Sequence, residues 1–363
     1  MNLTFSPEQA ELAEAVRRFS KEEITPERLN AWEKLPGGID PVCWSAISDL
    51  GWLGIGLPQS VGGSGLGLVD VACLLAECTR GLIPSVVITA IRGAYALAHI
   101  DGKALELPSL ATGHAKITLA IDEQSASAAP ALRACIEGEG SSARLSGEKW
   151  FVPHGTVADL LIVAAAEEGG ISLVLAERAA AEVVPLRSFV SDDTQAIVRF
   201  DRAPIVRRLC GPGDGAAVLN RLRRHQTALA LAEMVGGMDA VLEMTVAYVK
   251  EREQFGQKIA VFQAVQHQVA DMATSYTAGR HLAWQAITRI AESSDQAIDL
   301  PAAAAFVGQA FKQLTLRAHH LHGGAGFVVE HPLHYYSERA QSLCIRYTPE
   351  APALAEVAST LLD

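Results

Sequence analysis

Cysteine is sparse in this chain and never paired in sequence. Its six cysteines (Cys43, Cys73, Cys78, Cys135, Cys210 and Cys344) are scattered, with no CxxC. That pattern excludes a disulfide framework and reads as ordinary buried thiols of a reducing compartment. Cys73 and Cys78 are five apart in a helical stretch, a poor spacing for zinc. Basic charge is also short: 30 Lys and Arg against 41 Asp and Glu leave a net charge of −11. Phosphate backbones need a basic surface, so nucleic acid is excluded as the main ligand. One phosphorylated cofactor, held by a local Arg or by helix N-termini, is still permitted. No apolar run approaches the roughly 18 residues that a membrane helix needs, so no membrane partner is expected. The start, MNLTFSPEQAEL, has neither a basic n-region nor an apolar h-region. No secretion signal is therefore read there, and the cytoplasm is the expected location.

What is present suits a globular protein. Apolar residues make up 49% and charged residues 20% of 363, enough for a substantial core and for two or three domains. The first region, 1–114, reads as a helical domain. Ser6, Pro7, Glu8 and Gln9 form a capping-box pattern, and Leu12, Val16 and Phe19 follow at helical spacing. Further helices are expected near Pro41–Leu50, ended by Gly51, and near Leu68–Arg80, with the Gly-rich turn GWLGIGLPQSVGGSGLG between them. Over 115–210 the pattern changes to short apolar or alternating runs: KITLAID, ARLSGEKWFV, ADLLIVAA, ISLVLA and QAIVRFD. These predict an antiparallel sheet or small barrel. GPGDG (Gly211–Gly215) reads as a linker.

The last region, 216–363, is helical again, with helices expected over Ala216–Arg252, Phe262–Ser293, Pro301–Leu321, Pro332–Leu343 and Glu350–Leu361. Long helices with short connections make a bundle. Gly236 and Gly237 fall inside the first of them, where each costs about 1 kcal/mol relative to Ala. Such a pair predicts close passage of another backbone or a ligand.

Two segments of this bundle can carry chemistry. In EREQFGQKIAVFQAVQH a helix ends near Arg252, Phe255 and Gly256 turn, and Gln263 opens the next helix. A plain helix–loop–helix corner explains it, with Arg252 favoured by the macrodipole. The functional reading pairs Arg252 with a pyrophosphate and lines an adenosine pocket with Phe255 and Gln263. In HHLHGGAGF, Gly323, Gly324 and Gly326 follow a helix end and let backbone N–H groups approach a ligand. His319, His320 and His322 lack a Cys or carboxylate at ligand spacing and read as helix-end residues, so no metal is expected.

Together these segments carry a resemblance. ERxQFGxxIxxFQ, followed by HGGxGF and HPLHYYSERA, resembles the C-terminal bundle of acyl-CoA dehydrogenases. FSPEQ, GWLGIGLPQSVGGSGLG, LSGEKWFVPHG and VRFDRAP extend the likeness, in order, over nearly the whole chain. The resemblance implies a mainly α protein with an N-terminal helical domain, a middle β-barrel and a C-terminal four-helix bundle. It also implies FAD at a subunit interface and oxidation of an acyl-CoA thioester to the 2,3-enoyl-CoA. In that chemistry a glutamate removes the α-proton while the β-hydrogen leaves as hydride to the flavin.

The chain departs from the family where that glutamate belongs. One family position, after the GGxG segment, falls on Tyr347; the other, 26 residues before the Arg of the RxxFG motif, is Gln226. An amide is no base near neutral pH, and a phenol that ordinarily ionises near pH 10 is a poor one. Glu350, three residues past Tyr347, would substitute only if the loop shifted. The family's TEPxxGSD-like loop corresponds to AIDEQSASAA (120–129), without glycine. A flavin-side Thr is replaced by Pro153, and the Gln before GGxG by His320. Arg252, Phe255, Gln263 and the glycines, by contrast, are kept. This split implies a subunit that completes a partner's FAD site within a heterotetramer, as in short bacterial members acting on steroid side-chain or dicarboxylic acyl-CoA thioesters. The alternatives are a self-sufficient dehydrogenase using Glu350, and a flavin monooxygenase or oxidase on the same scaffold.

Overall fold

The computed structural model describes residues 5–124, 132–188, 193–293 and 298–362. Its helices are α1 (Pro7–Glu23), α2 (Pro26–Trp32), α3 (Pro41–Asp49), α4 (Leu68–Arg80), α5 (Ser85–Ile100), α6 (Leu107–Ala111), α7 (Pro212–Glu251), α8 (Gln263–Ala291), α9 (Asp299–His322), α10 (Leu333–Tyr347) and α11 (Glu350–Leu362). Its strands are β1 (Ile117–Ala120), β2 (Cys135–Glu137), β3 (Arg144–Pro153), β4 (Leu160–Glu167), β5 (Gly170–Glu177), β6 (Glu182–Leu186), β7 (Gln195–Pro204) and β8 (Arg207–Cys210). A short ribbon, β9 (Glu253–Gln254) with β10 (Gln257–Lys258), joins α7 to α8. The mainly α class with a central β region is as the sequence implies. None of the described helices is long and apolar enough to cross a membrane.

Packing divides the chain into two compact units: Met1–Asn30, Leu68–Ile83 and His225–Asp363 form one, Ala31–Gly67 and Pro84–Arg224 the other. In the first, α1 begins with the expected capping box: Ser6 Oγ accepts from Gln9 N, and Gln9 Oε1 accepts from Ser6 N. Arg17 of α1 grips the buried Glu77 of α4 with two hydrogen bonds of 2.7 and 2.6 Å. The glycine pair of α7 is explained by neighbours. A Cβ on Gly236 would lie 1.9 Å from the Ala76 carbonyl oxygen of α4, and one on Gly237 would lie 2.4 Å from the Phe311 ring of α9. The close passage is α4 backbone on one side and an aromatic ring on the other. Helices α8, α10 and α11 pack around α9.

The second unit is built on one eight-stranded sheet of order β6-β7-β3-β2-β4-β5-β8, with β1 added parallel to β4. The path has two ends, so the expected barrel is not closed. One face is covered by α5 and α6, whose Ala94, Leu97, Leu107 and Leu110 meet Ile117, Ile162, Leu173 and Leu175 in a dry cluster. GPGDG is not a linker: α7 starts within it at Pro212, a favoured first helical residue. Gly215 is required there, since its Cβ would fall 1.7 Å from the Ile171 carbonyl oxygen.

Candidate functional site

The first unit brings the two glycine-bearing segments to one end. After α7, Phe255 (φ 57°) and Gly256 (φ 78°) make the two-residue turn between β9 and β10. Consecutive left-handed residues match the twist of a tight hairpin, and the phenylalanine there is strained. Phe255 is 91% exposed and meets Phe262 edge-on at 6.0 Å. Arg252 and Gln263, the first residue of α8, are exposed as well. The Arg252 guanidinium makes no ion pair among the described residues, whereas Lys258 is engaged by Glu253 (3.0 Å).

At the end of α9, Gly323 takes φ 57°, ψ −140°, a combination that L side chains avoid. Side chains at Gly323 or Gly324 would point into open space, whereas Gly326 is buried against His322 and Leu333. His320 is exposed. Tyr248, one turn before Arg252, donates to the His322 carbonyl (3.1 Å), and the two rings lie 4.3 Å apart. Arg252, Phe255 and Gln263 thus share one end of the unit with Gly323, Gly324 and Gly326.

Histidines floor this end. His322 is buried, with neither ring nitrogen partnered among the described residues, and it faces His331 at 4.8 Å. Burial, then the neighbouring His331 and His319, push its pKa down to about 4. His319 bonds Ser337 (2.7 Å) and stacks on the exposed Phe327 (4.6 Å). Burial, then His331 and His334, lower it as well. Among the described residues no group of three or more His, Cys, Asp or Glu side chains could hold a metal ion. Tyr248 and His331 escaped the sequence reading, although the spacing of Tyr248 from Arg252, one helical turn, was a usable signal.

The same unit joins the two positions at which the resemblance expects a base. Thr227, next to the buried Gln226, donates to the Tyr347 carbonyl (3.3 Å). Arg346 donates to the Tyr347 hydroxyl (3.1 Å) and lies over its ring. Glu350 opens α11, and its carboxylate accepts from the Gln309 amide of α9 at 2.6 Å. It lines an apolar groove of about 530 Å³ with Met272, Phe306, Leu314 and Leu354.

In the second unit, Pro153 ends β3 with its carbonyl taken by the Thr118 hydroxyl (2.7 Å). His154 follows with φ 47°, buried and fixed by Ser85 (2.8 Å) and Thr194 (3.1 Å). The loop that starts at Ala120 is described as far as Gln124; its remainder, 125–129, lies outside the described residues. Glu123 on this loop accepts from the buried Lys149 (2.6 Å) and from the amides of Arg133 and Ala134 (2.7 and 3.1 Å). No single segment foretold that ion pair, because Glu123 lies on the loop after β1 and Lys149 on β3.

Residues 6–113 match the acyl-CoA dehydrogenase N-terminal domain and residues 213–346 the acyl-CoA dehydrogenase C-terminal domain. The probable acyl-CoA dehydrogenase FadE25 of Mycobacterium tuberculosis is 27% identical over 353 residues, covering 92% of this chain and 90% of its own. A solved steroid ACAD variant, Tcur3481–Tcur3483, is 29% identical with a TM-score of 0.88, covering 98% of each chain. The ChsE4–ChsE5 complex from Mycobacterium tuberculosis is 25% identical with a TM-score of 0.91, covering 100% of this chain and 99% of that one. The chain belongs to the acyl-CoA dehydrogenase family, oxidoreductases that act on acyl-CoA.

Proposed function

We propose that this chain is a subunit of a heteromeric, FAD-dependent acyl-CoA dehydrogenase that forms 2,3-enoyl-CoA, and that it leaves the catalytic base to its partner. The observation that carries this reading is the contact between the segments bearing Gln226 and Tyr347, neither of them a carboxylate. Removing the α-proton of a thioester needs a base of suitable pKa within reach, and an amide or an ordinary phenol is not one. Glu350 is engaged by Gln309 in the groove between α8, α9 and α11, which favours the partner's base over a displaced one.

The chain's residues fit one end of an FAD. Arg252, exposed and without an ion pair among the described residues, would hold the pyrophosphate, and the open backbone at Gly323 and Gly324 would let it approach. Phe255, Gln263 and His320 would line the adenosine side. The ring end fits less well, since Pro153 offers neither hydroxyl nor N–H and its carbonyl already accepts from Thr118. When bound, FAD accepts the β-hydrogen as hydride. Similarity to a steroid ACAD and to a two-component complex supports a heteromer acting on steroid or fatty acyl-CoA thioesters, and we place it in the cytoplasm.

Arg252→Ala, purified with the partner subunit, is the test. FAD content and turnover are expected to fall together. Unchanged FAD content would overturn the reading.

A further inference from the structure

Arg252 and the glycine turn belong to different helices, so a contact must set their separation. We infer that Tyr248 and His322 are the positioning pair that does this, holding Arg252 and the Gly323–Gly326 turn in register for a single diphosphate. The inference rests on the adenosine-half reading above.

Tyr248 is tied to Arg252 by the last helical hydrogen bond of α7, Arg252 N to Tyr248 O at 2.8 Å. Its hydroxyl crosses to α9 and donates to the His322 carbonyl. His322 is also the N-cap of the 3₁₀ turn Gly323–Phe327, so the phenol adds a donor from α7 to the carbonyl from which that turn starts. That carbonyl belongs to the peptide joining His322 to Gly323, the first peptide of the turn. Its position therefore fixes where Gly323 begins.

The imidazole supports the turn from below. A Cβ on Gly326 would lie 3.0 Å from His322 Cβ, so the turn folds back directly onto this residue. His322 is wedged between the rings of Tyr248 and His331. With both nitrogens unpartnered among the described residues, the ring acts as a packing surface. The open sides of Gly323 and Gly324 are left for a ligand. Losing the Tyr248 hydroxyl would leave the ring contact in place but uncouple the turn from Arg252.

The test is isothermal titration of the full chain with ADP as the probe. Arg252→Ala is expected to weaken binding at least about tenfold, as a lost charge-assisted contact does. Tyr248→Phe, which keeps the aromatic packing, is expected to weaken it about fivefold, the scale of one net hydrogen bond. Because Tyr248 acts through the placement of Arg252, the double variant should bind about as weakly as Arg252→Ala alone. His322→Leu, which keeps the carbonyl but removes the ring, serves as a second variant with the same non-additive pattern. Melting curves on each variant separate unfolding from misplacement. Wild-type affinity in folded Tyr248→Phe, or losses that simply add, would overturn the pair while leaving the adenosine-half reading intact. If the wild-type chain does not bind ADP, or if Arg252→Ala binds it equally well, both fall.

Discussion

At the residue scale the clearest consequence concerns His322. Its folded pKa, about 4, lies below the ordinary imidazole value near 6.5 because burial disfavours the cation and His331 and His319 oppose it. Between those two pH values the unfolded chain binds a proton that the folded chain refuses. Stability is therefore fully present above about pH 6.5 and declines as the pH falls toward 4. The urea midpoint of the wild type is expected to drop more steeply from pH 7 to 4.5 than that of His322→Leu. Parallel slopes would contradict the burial of a neutral ring. Much of the site around this histidine was legible residue by residue. Arg252, Phe255, Gln263 and the glycines could be picked out because their types and spacing sit within two short segments. Tyr248 carried only its one-turn spacing from Arg252 as a signal, since its contact lies 74 residues away in sequence. The absence of a glutamate at Gln226 and Tyr347 was visible only against a family pattern. Periodicity and composition say nothing about it.

At the scale of elements, helix boundaries were legible where a chemical stop exists. The capping box at Ser6 formed as written, and α4 runs from Leu68 to Arg80 as expected. GPGDG misled because glycine and proline ordinarily mark a break. Here Pro212 starts α7, and Gly215 answers to the Ile171 carbonyl of a distant strand. Gly236 poses the same contest between local and tertiary terms. Replacing it with Ala gains about 1 kcal/mol of helix propensity. Against this, the new Cβ would sit 1.9 Å from the Ala76 oxygen, an overpacking that costs about 3 kcal/mol when backbone must move. The clash should win, so Gly236→Ala is expected to melt several degrees lower than the wild type. A raised melting temperature would mean that α4 and α7 are not in such close contact.

At the scale of the whole molecule, the class and the order of regions followed from alternating patterns, but the open sheet did not. Whether eight strands close depends on which strand lies beside which, and β4 takes β1, β2 and β5 as neighbours. No strand's own sequence encodes that choice. The proposed division of labour between subunits would likewise be a property of the assembly. In the proposed reading it follows from a chain that keeps Arg252, Phe255, Gln263 and the glycines but has no carboxylate at Gln226 or Tyr347. The most direct measurement is the visible absorption and native mass of the chain expressed alone, then with its partner. The account predicts a colourless chain that becomes yellow, and dehydrogenates acyl-CoA, only when the second subunit is present. A yellow homotetramer with about one flavin per chain and turnover of its own would contradict it.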